Sequence, residues 1–429
     1  MFLLLLAVKV LVCHLALVSA EAVADSLWQD THNAITFSQE EPIKSAWIIT
    51  PETSVTRDGR FTIDADDMVT ISVPNGTHWD ADGLASGASA MLRKLDVKTN
   101  NGSIGLFAHG DASILLRDSH MVSSGPVGHS VFAAAGGFIY MNNSFAKTAG
   151  PRSSIAAAST MLSRIHIENS RGITFGPASP CLLSLGGALN ARQFSCFSFQ
   201  SPLLVVDSTD AVWQDREVVR LDQVDAQVGG PAVILMFDRT TRLNDGPTPQ
   251  LSLRNTVLAG VQPETIGMWF GNVRGRVDVE QSTIFSNGTL VRAIANMPVL
   301  DDLSGVEDMQ SGNESTAVII NVVRSSLRGD IMVSGKTLID LQLTDMSEWV
   351  GSVTAEHSDS HVDVSLSQNS QMRLTNHTHV RKLMDDDPTL GNIDSQGFNL
   401  TYCKNVSNIA VAVSALAGGG FAVGLPVCV

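Results

Sequence analysis

Two stretches of the chain superimpose at a fixed offset. Set "GLFAHGDASILLRDSHMVSSG", from Gly105, over "SVFAAAGGFIYMNNSFAKTAG", from Ser130, and Phe107 falls on Phe132, Ile114 on Ile139, Leu116 on Met141, Ser119 on Ser144 and Gly125 on Gly150. "RIHIENS" continues the unit with Ser170, and "RQFSCFS" with Ser195, at nearly equal further steps. Later, "NVVRSSLRGDIMV", "LQLTDMSEWVGSV" and "VSLSQNSQMRLTN" put Ser325, Ser347 and Ser370 at a slightly shorter step. A repeat in the low-to-middle twenties cannot bury its apolar face alone, so the units must stack as a solenoid.

The content of each unit selects the kind of solenoid. "ILLRDS", "FIYMNNS", "RIHIENS", "RVDVEQS" and "HVDVSLS" alternate apolar with polar residues, as half-buried strands do. Gly and Asn/Asp/Ser clusters punctuate them as turns. Helical periodicity is absent except in "ASGASAMLRKL" near Leu92, which has the spacing of a short helix. The Leu/Asn frame of a leucine-rich repeat is missing. The expectation is an all-β chain, a single-stranded right-handed parallel β-helix of roughly 12 to 16 coils. It divides into 1–20, 21–104 (an N-terminal cap and first coils) and 105–429 (the β-helix with its C-terminal cap).

The units "LRNTVLAG", "VDVEQSTIFSNG", "VRSSLRGDIMV" and "SEWVGSVTAE" resemble secreted right-handed parallel β-helix proteins of the pectin-lyase-like and autotransporter-passenger-like type. "GFNLTY", followed by small residues and a Gly-Gly-Gly ending, resembles the final coil of that group. The resemblance covers roughly residues 100–429 and implies the fold and a fungal or other eukaryotic source. It implies little about function, because the scaffold carries enzymes, adhesins and inert wall proteins alike.

The ends and composition bear on compartment. "MFLLLLAVKVLVCHLALVSA" has the basic start, apolar run and small-x-small close of a signal peptide cleaved after Ala20. Without Lys9, 27 basic residues face 43 acidic ones, a net charge of −16, which argues against nucleic acid and anionic membranes as partners. Asn75, Asn101, Asn142, Asn287, Asn313, Asn376, Asn399 and Asn405 open N-x-Ser/Thr sequons where chance gives about three or four, as in a glycosylated secretory product. Cys181, Cys196, Cys403 and Cys428 remain after the leader, an even set in an oxidising compartment. Cys181 and Cys196 are expected to pair within one coil's reach, and Cys403 with Cys428 at the open end.

The uncharged tail from Ile409 raises the question of a membrane. A lipid-anchor signal needs a polar spacer, which is absent after Ser407-Asn408, and four glycines and a proline interrupt a spanning helix. Read as β-structure, "VAVSAL" is a strand, "AGGG" its turn and "FAVGL" the next strand. The protein is therefore expected to be extracellular and without stable membrane insertion, a glycolipid anchor being the alternative.

Known β-helix chemistry finds no match. Asp66-Asp67 and Gly128-His129 echo two polygalacturonase motifs but stand nearly three coils apart, and "RIH" at 164–166 lacks its continuation. Asp385, Asp386 and Asp387 lack the alternation of a calcium-binding strand and read as a solvated loop. In "EHSDSHVDVSL", a strand would put His357, Asp359, His361 and Asp363 on one face, a weak candidate metal set that could equally be the wet outer surface. Arg328-Gly329-Asp330 falls at a coil turn, too constrained for an adhesion loop. No catalytic residue and no cofactor is assigned. The expected function is non-enzymatic adhesion or polysaccharide binding at a cell surface, wall or matrix; the alternative is a carbohydrate-active enzyme, a polysaccharide lyase or glycoside hydrolase, with an unrecognised site.

Overall fold

A computed structural model describes short strands between 55 and 99, then residues 104–109, 113–160, 162–208, 217–238, 248–295, 315–409 and 412–426. Residues 1–20, Asp66, Asp67, Asn75, Asn101, Asn313 and Cys428 lie outside the described residues.

The chain winds as a parallel β-helix with three faces. One coil shows the plan: Phe138–Asn142 lies on face one, Phe145–Thr148 on face two and Ala156–Ser159 on face three. Each strand pairs in parallel with its counterparts one coil before and after. Face one alone carries 13 successive strands, from Val55–Arg57 to Lys382–Asp385. No α-helix occurs among the described residues. "ASGASAMLRKL" forms the strands Ala85–Ser86 and Ser89–Arg93, which corrects the helical reading. Leu92 is buried there as one rung of a stack, and packing against the next coil outweighs local helical propensity.

Alternation along face one builds two apolar columns. Ile114, Ile139, Ile165, Leu189, Val219, Leu251 and Val277 stack at successive registers, followed by Ile320, Leu341, Val364 and Leu383. The second column runs from Leu92 through Leu116, Met141 and Ile167 on to Leu366. Every one of these named side chains is at most 2% exposed. Each buried Ile or Leu contributes about 1.5–3 kcal/mol, so the stacks outweigh any single coil contact.

A two-residue corner joins faces one and two. Its first residue is left-handed, as at Asp118, Asn143, Asn169 and Asn255 (φ 46–51°), a conformation that short polar side chains tolerate. Its second residue is usually Ser or Thr. Ser144 Oγ donates to Asn142 O at 2.8 Å and accepts from Ser119 N at 3.1 Å; Ser170 repeats both bonds one coil on. The same hydroxyl spine resumes through Thr256, Ser282, Ser325, Ser347 and Ser370. Between the two runs it breaks. Ser170 is in register with Phe194 rather than Ser195, which lies one position further and pairs with Arg171.

The corner between faces two and three is a Gly-Pro turn in successive coils, at Gly125, Gly150 and Gly176. A Cβ on Gly150 would overlap the Gly125 carbonyl, and one on Gly176 the Gly150 carbonyl, so coil stacking itself demands glycine here. The third corner admits extra chain: the step from Leu189 to Val219 exceeds that from Ile165 to Leu189, and the step from Val277 to Ile320 is longer still.

The C-terminal stretch forms the strands Val413–Ala415 and Phe421–Leu425, an antiparallel hairpin at the edge of a small sheet. It is β-structure, and among the described residues no helix is long and apolar enough to cross a membrane. Cys181 and Cys196 form a disulfide with Cα atoms 6.6 Å apart. It joins the corner before face three to the face-two strand of the next coil. Cys403 is also disulfide-bonded.

Candidate functional site

Side chains that alternate away from the core form rows on the outer faces, and in residues 107–199 those rows are aromatic. Phe107 and Phe132 stack on face three with centroids 5.2 Å apart, and Tyr140 meets His166 on face one at 5.2 Å. Face two carries the densest set. His120 and Phe145 stack at 5.0 Å, Phe175 and Phe199 at 4.5 Å, and Phe197 meets Phe199 edge-on at 4.4 Å. Lys147 Nζ lies 4.9 Å from the Phe175 ring centre. Parallel register brings these residues together: His120, Phe145, Arg171 and Ser195 form one outer row, with Val122, Lys147, Ile173 and Phe197 beside it. Adjacent coils lie about 4.8 Å apart, the spacing at which rings stack.

Burial and the nearby Lys147 charge lower the His120 pKa to about 4, so its ring is neutral at physiological pH. The cationic side chains in the outer rows of face two between His120 and Phe199 are Lys147 and Arg171, and the row of Arg171 continues in register to Asp225 on the next coil but one. Face one is different, with charges of both signs in a ladder: Arg192 meets Glu168 at 3.5 Å, and Arg324 meets Glu280 at 2.7 Å.

The residues singled out from sequence are dispersed. His129 is 6% exposed; its Nδ1 accepts from Ser154 N at 3.0 Å, and burial lowers its pKa to about 4. It is thereby a structural part of the Gly-Pro corner. The strand containing His361 and Asp363 begins at Ser360, so His357 and Asp359 sit in the exposed turn before it. Asp363 is held by a bidentate contact from Arg381, whose Nε lies 2.8 Å from Oδ1 and whose Nη2 bonds Oδ2. Asp340 stands in register with Asp363 on the neighbouring coil, and its Oδ2 accepts from Gln342 Nε2 at 2.8 Å. Their column continues to Ile319 and Lys382, so a third carboxylate does not join them. Among the described residues no group of three or more His, Cys, Asp or Glu side chains is placed to hold a metal ion.

The three aspartates after Met384 have different fates. Asp386 is exposed, and Asp387 is half-buried, its Oδ1 accepting from Thr389 N at 2.9 Å. Asp385 is only 4% exposed, which corrects the reading of a uniformly solvated loop. Its inward position in the second apolar column buries it, directly after Leu366. Gly329 of the Arg-Gly-Asp triplet lies within the strand Ser326–Ser334, and Asp330 Oδ1 accepts from Ser352 N, Ser352 Oγ and Thr375 Oγ1 at 2.8–2.9 Å. Of the sequons, Asn287, Asn376 and Asn405 are exposed, whereas Asn142 and Asn399 are half-buried.

The aromatic surface was hidden in the sequence. His120, Phe145, Lys147, Arg171, Phe175, Phe197 and Phe199 are scattered over several coils and share no motif. Their signal was the outward half of each strand's alternation. No protein-family model matches this chain, and neither the curated proteins nor the solved structures contain a match to it.

Proposed function

We propose that the chain is a secreted, glycosylated β-helix protein of the pectin-lyase-like type that binds polysaccharide at a cell surface, wall or matrix without processing it. The observation that carries this reading is the set of stacked and edge-on aromatic rings on the outer side of face two, from His120 to Phe199. An extended face with coil-spaced aromatic and polar groups suits a linear polymer, which offers a repeating ligand to a repeating surface. The disulfide, the leader sequence and the eight sequons support the extracellular setting. The engagement of Asp363 by Arg381 favours binding over acid–base catalysis at that pair, because a clamped carboxylate is a poor proton carrier.

The test is a glycan array probed with the secreted protein, with product analysis on every glycan it retains. Retention without cleavage is the expected result. Oligosaccharides accumulating with time would replace this reading with the enzymatic one, and failure to retain any glycan would remove it.

A further inference from the structure

We infer that Asn399 carries an N-linked glycan whose first N-acetylglucosamine lies against the Phe421 ring and covers the apolar outer side of the C-terminal hairpin. The inference rests on the secreted, glycosylated reading above and adds which sequon serves the fold, and how. An uncovered apolar surface and an attachment point held beside it carry the inference.

Register builds the surface. In the hairpin Val413 pairs with Val423 and Ala415 with Phe421, so alternation sets these four on one side; Ala422, on the other, is fully buried. Val413 is 60% exposed and Phe421 47%. No charged residue stands between Ile409 and Val429. Val413–Ala415 is also the edge strand of its sheet. An apolar patch beside an open edge invites association with other chains unless something covers it. A patch without charge suits a neutral cover with an apolar side, and a pyranose ring is one.

The attachment point lies on the adjacent strand. Phe421–Leu425 pairs with Leu400–Cys403, Leu400 opposite Ala422 and Thr401 opposite Val423. Asn399, which opens the sequon Asn399-Leu400-Thr401, thus stands level with Phe421, and its Oδ1 accepts from Phe421 N at 3.1 Å. Its backbone is held as well: N donates to His377 Nδ1 at 3.0 Å, and O accepts from Thr378 N at 2.9 Å. These bonds leave Nδ2 without a hydrogen-bond partner among the described residues. In the exposed sequon at Asn376, Oδ1 instead accepts from the adjacent His377 N at 2.8 Å.

Glycosylation uses the unengaged atom. Transfer from a lipid-linked oligosaccharide diphosphate forms the bond from Nδ2 to the sugar's anomeric carbon and breaks that carbon's bond to the phosphate oxygen. The displaced Nδ2 proton leaves, and the diphosphate takes the bonding electrons. Oδ1 keeps its bond to Phe421 N, so the sugar starts one strand spacing, about 4.8 Å, from Phe421. The C–H bonds on one side of N-acetylglucosamine then meet the negative face of the phenylalanine ring.

The test uses the full chain secreted from cells that make only oligomannose glycans. Peptide mass mapping should find Asn399 occupied. Hydrogen exchange over 413–425 should be about fivefold faster in Thr401→Ala, which removes the sequon and leaves Asn399 in place. In a Phe421→Leu background the same substitution should change exchange little, because the cycle isolates the coupling between sugar and ring. Phe421→Met replaces the Leu variant if that one is not secreted. Trimming the wild-type glycans to a single N-acetylglucosamine should leave the protection intact, a measurement that needs no variant. Occupied sequons elsewhere with Asn399 bare would overturn the inference and leave the glycoprotein reading standing; no occupied sequon overturns both. An equal effect of Thr401→Ala with and without the ring, or loss of protection on trimming, overturns the stacking.

Discussion

Asp385 places a carboxylate in a column that is apolar from Leu92 to Leu366. Its Oδ1 accepts from Asp387 N at 2.8 Å and Asn392 Nδ2 at 3.0 Å, while Oδ2 and the nearby Asn392 Oδ1 are buried without a hydrogen-bonding partner. Burial, the largest cause, raises the Asp385 pKa. A carboxyl whose folded-state pKa exceeds its unfolded value, about 4, favours folding below that value and loses the contribution as pH rises through the raised one. Asp385→Asn replaces the unpartnered Oδ2 with an uncharged amide nitrogen that can donate to Asn392 Oδ1, so it should stabilise the fold at pH 7 by about 1 kcal/mol and remove this increment. Urea unfolding of both proteins at pH 4 and pH 7 measures it; an identical pH difference in the variant would refute the assignment. Glycines offer a second residue-level contrast. Gly150→Ala pushes a methyl into the Gly125 carbonyl and should cost about 3 kcal/mol, whereas Gly397→Ala, at φ +88° with open space around it, should cost about 1 kcal/mol of backbone strain. Equal losses in thermal unfolding would contradict the close-approach explanation.

Among the structural elements, the corner between faces one and two is the most regular, and its hydroxyl spine explains why serine recurs at the repeat period. Ser144→Ala removes a donor to Asn142 O and strands the buried Ser119 N–H, so it should destabilise by about 1–3 kcal/mol. Ser195→Ala, at an outward position, should change stability by less than about 0.5 kcal/mol. Denaturant titration of both variants distinguishes a spine from a merely frequent residue. The repeat was legible because corner and columns recur together in Ser119, Ser144 and Ser170. It misled at Ser195 because Phe194 takes the corner position, and a one-residue slip in a strand exchanges inside for outside. Near Leu92, small residues looked helical because stacking against another coil leaves no local sign.

At the scale of the whole molecule, stability is shared between neighbouring coils, so a crosslink acts locally. The Cys181–Cys196 bridge closes a sequence separation of 15, and replacing both with Ser should cost about 3 kcal/mol on the loop-entropy account. Non-reducing peptide mapping should find the pair intact, and hydrogen exchange in the double variant should rise first in the coils around 165–235. Uniform acceleration over the entire solenoid would show that the coils unfold as one unit.

The sequence by itself determined the architecture: period, alternation and turn residues are local properties that every coil restates, so each repetition strengthens the reading. It also pointed to the β-character of the tail, since four glycines and a proline lower helix propensity there while "VAVSAL" and "FAVGL" have the length of strands. Only the tertiary structure decided which side chains meet. The face-two surface draws His120, Phe145, Arg171 and Phe197 from separate coils, and the interior carboxylate of Asp385 is recognisable only once Leu366 is known to precede it in a column. Register between coils sets those neighbours. It is fixed by the summed packing of many coils and the lengths of the corners between them, and no short stretch of sequence contains that sum.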